Sequence, residues 1–297
     1  EENTGALEIG YLGPTFTVNA DAVRVAFGGA AKLTLQPAGG GDARPVKPWR
    51  SVLLKRGDRL AIGAVEDGSV AYLAIEGGFA IAPFMGSFST YMRSGLGGFQ
   101  GRALQAGDRL PLNKVAQEGD ERELADVIDY GSGPVRVVLG PQEDRFTEKG
   151  IQTFLSATYT VTKEADRMGI RLDGEVIEHT GGADIASEGV VSGSIQVPGN
   201  GKPIILMADR QTTGGYTKIA TVISADLPRV GRMKPGDTLT FTAISVAEAE
   251  MIRREQEKML KRLADGIRTA LPDVYLDLNA LYTQNLISGM VDACSGE

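Results

Sequence analysis

Residues 203–223 read PIILMADRQTTGGYTKIATVI. Two apolar runs, 203–207 (PIILM) and 219–223 (IATVI), flank a polar, glycine-containing segment. Short apolar runs rich in β-branched residues and bounded by polar and glycine residues are typical of buried strands. The stretch therefore predicts two central strands joined by a loop that presents many hydrogen-bonding groups.

The same pattern extends over the first 245 residues of the chain. Further strand-like runs are 70–75 (VAYLAI), 135–139 (VRVVL), 158–162 (TYTVT) and 238–243 (TLTFTA). Three x-x-Gly-Asp-x-Leu phrases, at 55–60, 105–110 and 234–239, indicate tight turns, because glycine adopts positive φ and aspartate binds nearby amides. Many short strands with close turns predict a mainly β fold of barrel subdomains rather than a doubly wound sheet.

Changes in composition divide the chain into three predicted parts. Residues 1–120 form a first β subdomain, 130–245 a second β subdomain, and 246–297 a helical C-terminal extension, with the polar segment 116–129 as the boundary. Ser245 and Glu248 have the spacing of a capping box, which begins an amphipathic helix that ends before Pro272. A shorter second helix is predicted within residues 276–291.

Composition excludes several classes of protein. The 297 residues carry a net charge of −7 with a pI near 5.0, which argues against nucleic acid or anionic membranes as partners. No apolar run is long enough to suggest a membrane span, and residues 1–30 do not resemble a signal peptide. Cys294 and His179 are the single residues of their types, so we expect a cytoplasmic protein without a metal site.

Several common catalytic motifs are absent from the sequence. There is no G-x-x-x-x-G-K-[ST] phosphate loop, no G-x-G-x-x-G and no G-x-S-x-G. Met233-Lys234 is followed by Pro235, so the chain has no biotin-acceptor lysine between two methionines. The chemistry must come from carboxylates, arginines, hydroxyls, amides and glycine-bordered backbone.

Two polar stretches are candidate anion-binding segments. Residues 85–101 combine glycines with Arg93, and freed backbone amides there predict an anion cradle, although a plain inter-strand loop also fits. Residues 164–173 contain Asp166, Arg167 and Arg171, which suit a carboxylate or phosphate substrate or a surface ion pair. His179 fits a solvated turn better than a catalytic role.

The third stretch gives the strongest site prediction. The stretch begins with Ser187, Glu188 and Gln196 and continues at Asp209. After Asp209 come hydrogen-bonding residues and glycines that are predicted to bind an amide or carboxylate: Gln211, Thr212, Thr213, Gly214, Gly215 and Tyr216. Glu188 or Asp209 is the candidate general base, on the condition that burial raises its carboxyl pKa.

Ordered blocks across residues 5–245 carry a family resemblance. They include 77–79 (GGF), 86–93 (GSFSTYMR), 166–172 (DRMGIRL), 187–189 (SEG), 193–198 (GSIQVP), 209–216 (DRQTTGGY) and 234–237 (KPGD). In this order the blocks resemble the family of the C subunit of 5-oxoprolinase. That family is also described as KipA-like, as allophanate hydrolase subunit 2, and as biotin-dependent carboxyltransferase subdomains A and B.

The resemblance implies a fold, an activity and partners. It implies cyclophilin-like β-barrel subdomains and assembly with a KipI-like B subunit and an A subunit into an ATP-dependent enzyme that opens 5-oxoproline to glutamate. Fused relatives imply an alternative, a carboxyltransferase component that moves a carboxyl group from carrier-borne biotin to urea. A third interpretation is a non-catalytic regulatory protein, since KipA-like relatives also antagonise a kinase inhibitor.

The resemblance also implies that a family segment ahead of Leu7-Glu8-Ile9 is missing at the N-terminus. The tail beyond Ala247 runs longer than the family pattern, and we expect it to serve assembly.

Overall fold

Alternation of side chains across short strands builds the first of two apolar cores. The computed structural model describes residues 4–126 and 128–271. In β3, Val23, Val25 and Phe27 are buried while the residues between them are not, as expected for a strand with one face on a core. The strands of this first block are β1 (Leu7–Gly10), β2 (Thr15–Thr17), β3 (Ala22–Gly28), β4 (Ala31–Gln36), β5 (Arg44–Val46), β6 (Ser51–Lys55), β7 (Arg59–Val65) and β8 (Val70–Ile75).

Two four-stranded sheets make up the first block. Their strand orders are β1-β8-β3-β6 and β2-β7-β4-β5, and every pairing is antiparallel. The inner faces share one core, in which Phe27, Leu33 and Leu60 are buried. A further strand, β9 (Arg122–Leu124), follows beyond this block.

The second block is a nearly closed barrel. Its strands are β10 (Val135–Leu139), β11 (Tyr159–Val161), β12 (Gly169–Asp173), β13 (Asp184–Gly189), β14 (Ser194–Gln196), β15 (Ile204–Leu206), β16 (Thr213–Tyr216), β17 (Lys218–Val222), β18 (Thr238–Leu239) and β19 (Phe241–Ala243). Eight of them form one sheet in the order β18-β11-β12-β15-β14-β17-β10-β19, and β13 pairs with β16 as a separate ribbon. The two edge strands, β18 and β19, are separated only by residue 240, so one short segment joins both edges of the sheet.

The predicted mainly β architecture is therefore confirmed. Runs 70–75 and 135–139 are strands with the predicted bounds, whereas the predicted run 238–243 is two short strands on opposite sheet edges. The division into subdomains at residues 120–130 stays a prediction. No helix of residues 4–126 and 128–271 is long and apolar enough to cross a membrane.

The three glycine–aspartate turns have the predicted construction. Gly57, Gly107 and Gly236 adopt φ values of 88°, 91° and 93°. In each turn the aspartate carboxylate accepts a hydrogen bond from the amide three residues earlier, at 2.8, 2.7 and 2.9 Å for Asp58, Asp108 and Asp237. These motifs are structural turns, since each carboxylate closes its own turn, and Asp58 and Asp108 also bind the Ala38 amide and the Arg102 guanidinium.

Helix α1 (Glu148–Ser156) is an element that the sequence pattern did not predict. Thr147 Oγ1 accepts a hydrogen bond from Gly150 N at 2.9 Å and caps its first turn. Phe154 is fully buried and stacks on Phe241 of β19 with ring centroids 4.5 Å apart. The helix is short, so this packing, more than intrinsic propensity, stabilises it. A second short helix, α2 (Leu227–Val230), follows β17.

Tyr159 Oη lies in the barrel core without a hydrogen-bond partner among the described residues. Burial, followed by the charge of Glu175, raises the pKa of Tyr159 to about 12. We expect Tyr159→Phe to raise the free energy of unfolding by about 1 kcal/mol, because it removes an unsatisfied buried hydroxyl and keeps the ring. Urea unfolding measures this change. Tyr72→Phe is the control, because it removes a hydroxyl that donates a 3.2 Å hydrogen bond to Glu8, and it should not stabilise the protein. A loss of stability in Tyr159→Phe would contradict the conclusion that the Tyr159 hydroxyl is unsatisfied.

The C-terminal helix is confirmed as α3 (Val246–Asp265). Ser245 Oγ accepts from Glu248 N, and Glu248 Oε2 accepts from Ser245 N at 2.8 Å, which is the predicted capping box. None of its 20 residues is buried. Strand β20 (Ile267–Thr269) follows and pairs with β9. The helix predicted within residues 276–291 lies outside the described residues.

Candidate functional site at one end of the barrel

A buried lysine and a buried glutamine lie side by side on neighbouring barrel strands. Gln196 of β14 and Lys218 of β17 are register partners, and each is only 2% exposed. Side chains of directly opposed residues project from the same face of a sheet, with Cβ atoms about 5 Å apart. The barrel thus holds an amide and an ammonium group next to each other.

Gln142 and Glu188 complete the surroundings of Lys218. Lys218 Nζ lies 2.6 Å from Glu188 Oε1, and the ammonium has no other hydrogen-bond partner among the described residues. Gln142 Oε1 accepts from Lys218 N at 3.1 Å, and Gln142 Nε2 donates to Glu188 Oε1. Gln142 therefore fixes the lysine backbone and also binds the carboxylate.

Gln211 and Gly214 extend the site along the DRQTTGGY stretch. Gln211 Nε2 donates to Gln196 Oε1 at 3.3 Å, while Gln196 Nε2 is buried with no partner in the described part of the chain. A Cβ on Gly214 would overlap Gln196 Nε2, so only glycine leaves room for this amide. We call the five side chains Gln142, Glu188, Gln196, Gln211 and Lys218 the amide site.

The β13–β16 ribbon positions the remaining predicted residues of this stretch. Glu188 pairs with Gly214, and Thr213 pairs with Gly189. Gly215 lies beside Ser187, whose Oγ would be 3.3 Å from an added Cβ. Thr212 and Tyr216 are exposed on the loop and the ribbon. The structure thus gathers most of the third predicted stretch at one end of the barrel.

The condition set for Glu188 as a base, a pKa raised by burial, is not met. The Lys218 ammonium, and after it the Gln142 amide, lower the pKa of this carboxyl group, and the side chain is 46% exposed. Glu188 is therefore an ionised, paired carboxylate rather than one tuned for proton abstraction near neutral pH. Its catalytic role stays a prediction.

The other predicted charges form ion pairs elsewhere. The Arg167 fork donates to both oxygens of Asp209, at 2.8 and 3.1 Å, and Arg167 Nη1 also binds Glu8 of β1. Arg93 Nη2 donates to Asp166 at 3.1 Å, while Asp166 Oδ1 accepts from the amides of residues 168 and 169. The Glu8–Arg167 and Arg93–Asp166 contacts join the second block to residues that precede it, whereas the Arg167–Asp209 pair lies within the second block. These contacts give the residues a structural role, and the predicted substrate and catalytic roles stay predictions.

Two cavities accompany these charges. One of about 630 Å³ lies between the blocks and is lined by Glu8, Tyr72, Tyr130, Arg167, Met207 and Arg232. Another of about 510 Å³ is lined by Arg171, Lys202 and Tyr216 among others. Arg171 Nε lies 3.6 Å from Glu164, consistent with the surface ion pair considered for this stretch. The described residues contain no group of three or more His, Cys, Asp or Glu side chains able to hold a metal ion.

Gln142 and Lys218 were not among the residues expected from the sequence. Lys218 is the first residue of an apolar strand, and a charged residue at that position normally indicates an exposed strand terminus. Its burial depends on residues that are distant in the sequence. Gln142 follows Gly140-Pro141, which indicates only a turn. The one available signal was the lysine in an otherwise apolar run, since a buried charge requires a partner.

Comparison with known proteins places this mainly β chain among carboxyltransferase domains. The chain is a member of the family described as "Carboxyltransferase domain, subdomain A and B", whose model matches residues 1–243.

Its relatives in that family are parts of known enzymes. The chain is 36% identical over 216 residues to the C subunit of 5-oxoprolinase from Escherichia coli, covering 73% of this chain and 69% of the relative. It is 34% identical over 266 residues to the C subunit of 5-oxoprolinase from Haemophilus influenzae, covering 88% and 82%. The solved structure of K. lactis urea amidolyase matches with a TM-score of 0.77 at 27% identity, covering 92% of this chain but only 18% of that one.

Proposed function

We propose that the chain is a subunit of an ATP-dependent enzyme that opens 5-oxoproline to glutamate and that its amide site binds the substrate. The observation that carries the proposal is a set of three glutamine side chains connected to one buried lysine. Gln142 binds the backbone N–H of Lys218, Gln196 is the register partner of the lysine, and Gln211 is bonded to Gln196. A primary amide offers donors and an acceptor in one plane, which matches the N–H and C=O edge of a lactam. The two relatives named as the C subunit of 5-oxoprolinase support this choice of substrate.

Partner chains belong to the proposed enzyme, because the relatives are named as one subunit of it. We propose a KipI-like B subunit and an A subunit. The loop region 84–104 exposes large apolar side chains, which supports contact with another chain: Phe84, Met85, Phe88, Met92, Leu96 and Leu104. We also propose that the complex works in the cytoplasm.

The amide site does not fit ATP. A nucleoside triphosphate carries about four negative charges and is normally held by several cations and amides. Here one ammonium group is present, and it already contacts the Glu188 carboxylate. We propose that ATP binds to another chain of the complex.

The test is co-expression of the chain with the A and B subunits, followed by an assay of ATP-dependent glutamate formation from 5-oxoproline. We expect turnover from the complete complex and none when this chain is omitted. A well-folded complex that consumes no 5-oxoproline would contradict the proposal. The regulatory interpretation would be favoured if this chain assembled with the other subunits but turnover were the same with and without it.

A second candidate function is the carboxyltransferase reaction on urea, with biotin supplied by a separate carrier. Two observations favour it: the match to the carboxyltransferase family, and the similarity to the urea amidolyase structure over 92% of this chain. Urea presents the same planar amide edge to Gln196 and Gln211. The test is an assay of the chain together with a biotinylated carrier. Carboxylation of urea, from a chain whose complex does not cleave 5-oxoproline, would decide for this function.

A further inference from the structure

We propose that Lys218 is the subsite for the carboxylate of the substrate, and that Glu188 occupies this subsite until the substrate displaces it. The inference rests on the proposed function and deepens it, because it specifies a ligand that carries both a carboxylate and an amide. It assigns Glu188 as a displaceable counter-ion rather than as a base.

The two partners of this ion pair differ in burial. Lys218 is 2% exposed and fixed in a central barrel strand, whereas the Glu188 side chain is 46% exposed on a two-stranded ribbon. A buried ammonium group needs an anion nearby, so the lysine cannot be left alone. A carboxylate that is nearly half in water can leave at small cost, provided that another anion replaces it.

An incoming carboxylate would meet two donors at this position. Gln142 Nε2 and Lys218 Nζ both approach Oε1 of Glu188. The ammonium has three N–H donors, and Glu188 is its one side-chain partner among the described residues. Lys218 therefore keeps donor capacity that a better-oriented carboxylate would use, and charge-assisted hydrogen bonds are the stronger kind.

An unpaired amide lies next to the lysine. Gln196 Nε2 is buried and has no partner among residues 4–126 and 128–271. It belongs to the register partner of Lys218, so its Cβ lies about 5 Å away along the same face. An adjacent carboxylate and carbonyl, as in 5-oxoproline, would satisfy both groups, whereas urea has no carboxylate to replace Glu188.

The experiment compares two ligands that share one lactam ring. Binding of 5-oxoproline and of 2-pyrrolidinone, which lacks the carboxylate, is measured by calorimetry on the assembled complex without ATP. We expect Lys218→Met to weaken 5-oxoproline about 30-fold and to leave 2-pyrrolidinone unchanged, in line with the strength of a charged hydrogen bond. We expect Glu188→Gln to tighten 5-oxoproline at least threefold, since it removes the competing anion.

Lys202→Met is the matched control, because Lys202 pairs with Asp173 outside the amide site. It should change neither affinity, and thermal unfolding of each variant complex verifies folding. Equal weakening of both ligands by Lys218→Met, or a Glu188→Gln variant that binds 5-oxoproline no more tightly, would overturn the inference. The proposed function has a separate test, since absence of ATP-dependent turnover would overturn it. The inference about Lys218 would still stand in that case if Lys218→Met removed the preference for 5-oxoproline over 2-pyrrolidinone.

Discussion

Replacing Gly214 with alanine is expected to lower 5-oxoproline turnover by the assembled complex about 100-fold. The added methyl group would overlap Nε2 of Gln196, which is buried beneath the ribbon and cannot move into solvent. The amide must then rotate away from Gln211 and from the position next to Lys218. A small displacement of a positioning group costs this much because the reacting geometry is lost. The measurement is the rate of ATP-dependent glutamate formation.

Gly215→Ala is the matched control for this substitution. It makes the same chemical change one residue further along β16, where the nearest atom to an added Cβ is Ser187 Oγ at 3.3 Å. We expect less than a roughly fivefold change in turnover and an unchanged unfolding midpoint. If the two alanine variants behaved alike, the position of Gln196 would not matter for the reaction.

Replacing Arg167 with methionine is expected to lower the free energy of unfolding by about 2 kcal/mol. Loss of one partner from a partly buried ion pair costs less stability than loss from a fully buried pair and more than loss from an exposed pair. The substitution keeps an unbranched apolar stem but leaves the Asp209 carboxylate, only 19% exposed, without its bidentate partner. It also removes the contact with Glu8, which links β1 of the first block to the barrel. Urea unfolding of the full chain measures the loss.

The control for Arg167 is Arg254→Met on α3. Arg254 forms an exposed pair with Glu250 at 3.4 Å, and exposed helical pairs contribute about 0.5 kcal/mol or less. We expect no measurable change for this variant. An Arg167→Met protein as stable as the wild type would mean that the Glu8–Arg167–Asp209 cluster does not hold the blocks together.

The fold was largely predictable wherever local pattern decides structure. Strands β8 and β10 are bounded by turn residues, and the Ser245 cap is a local sequence signal, so their limits followed from the residues themselves. Helix α1 was missed because it is short and contains Gly150. The break at residue 240 was missed because the run alternates normally, and only closure of the sheet sends its two halves to opposite edges.

The candidate site was predictable in its composition and not in its electrostatics. Gln196, Gln211 and Gly214 were expected together, and the structure brings them into contact. The state of Glu188 depends on Lys218 and Gln142, which are 30 and 46 positions away in the numbering and become neighbours only through the barrel. A sequence read along its length gives residue types, whereas a pKa depends on distances between them.

The way in which residues 238–243 join both sheet edges has a consequence for biosynthesis. A nascent chain that has not yet released this segment presents two unpaired strand edges, β11 and β10, at the same time. Open edges of this kind recruit other chains, so the interval before residue 243 emerges is the period of greatest aggregation risk. Because the ribosome covers the most recently made residues, synthesis of the long helix that follows pushes the closing segment out and allows the barrel to seal.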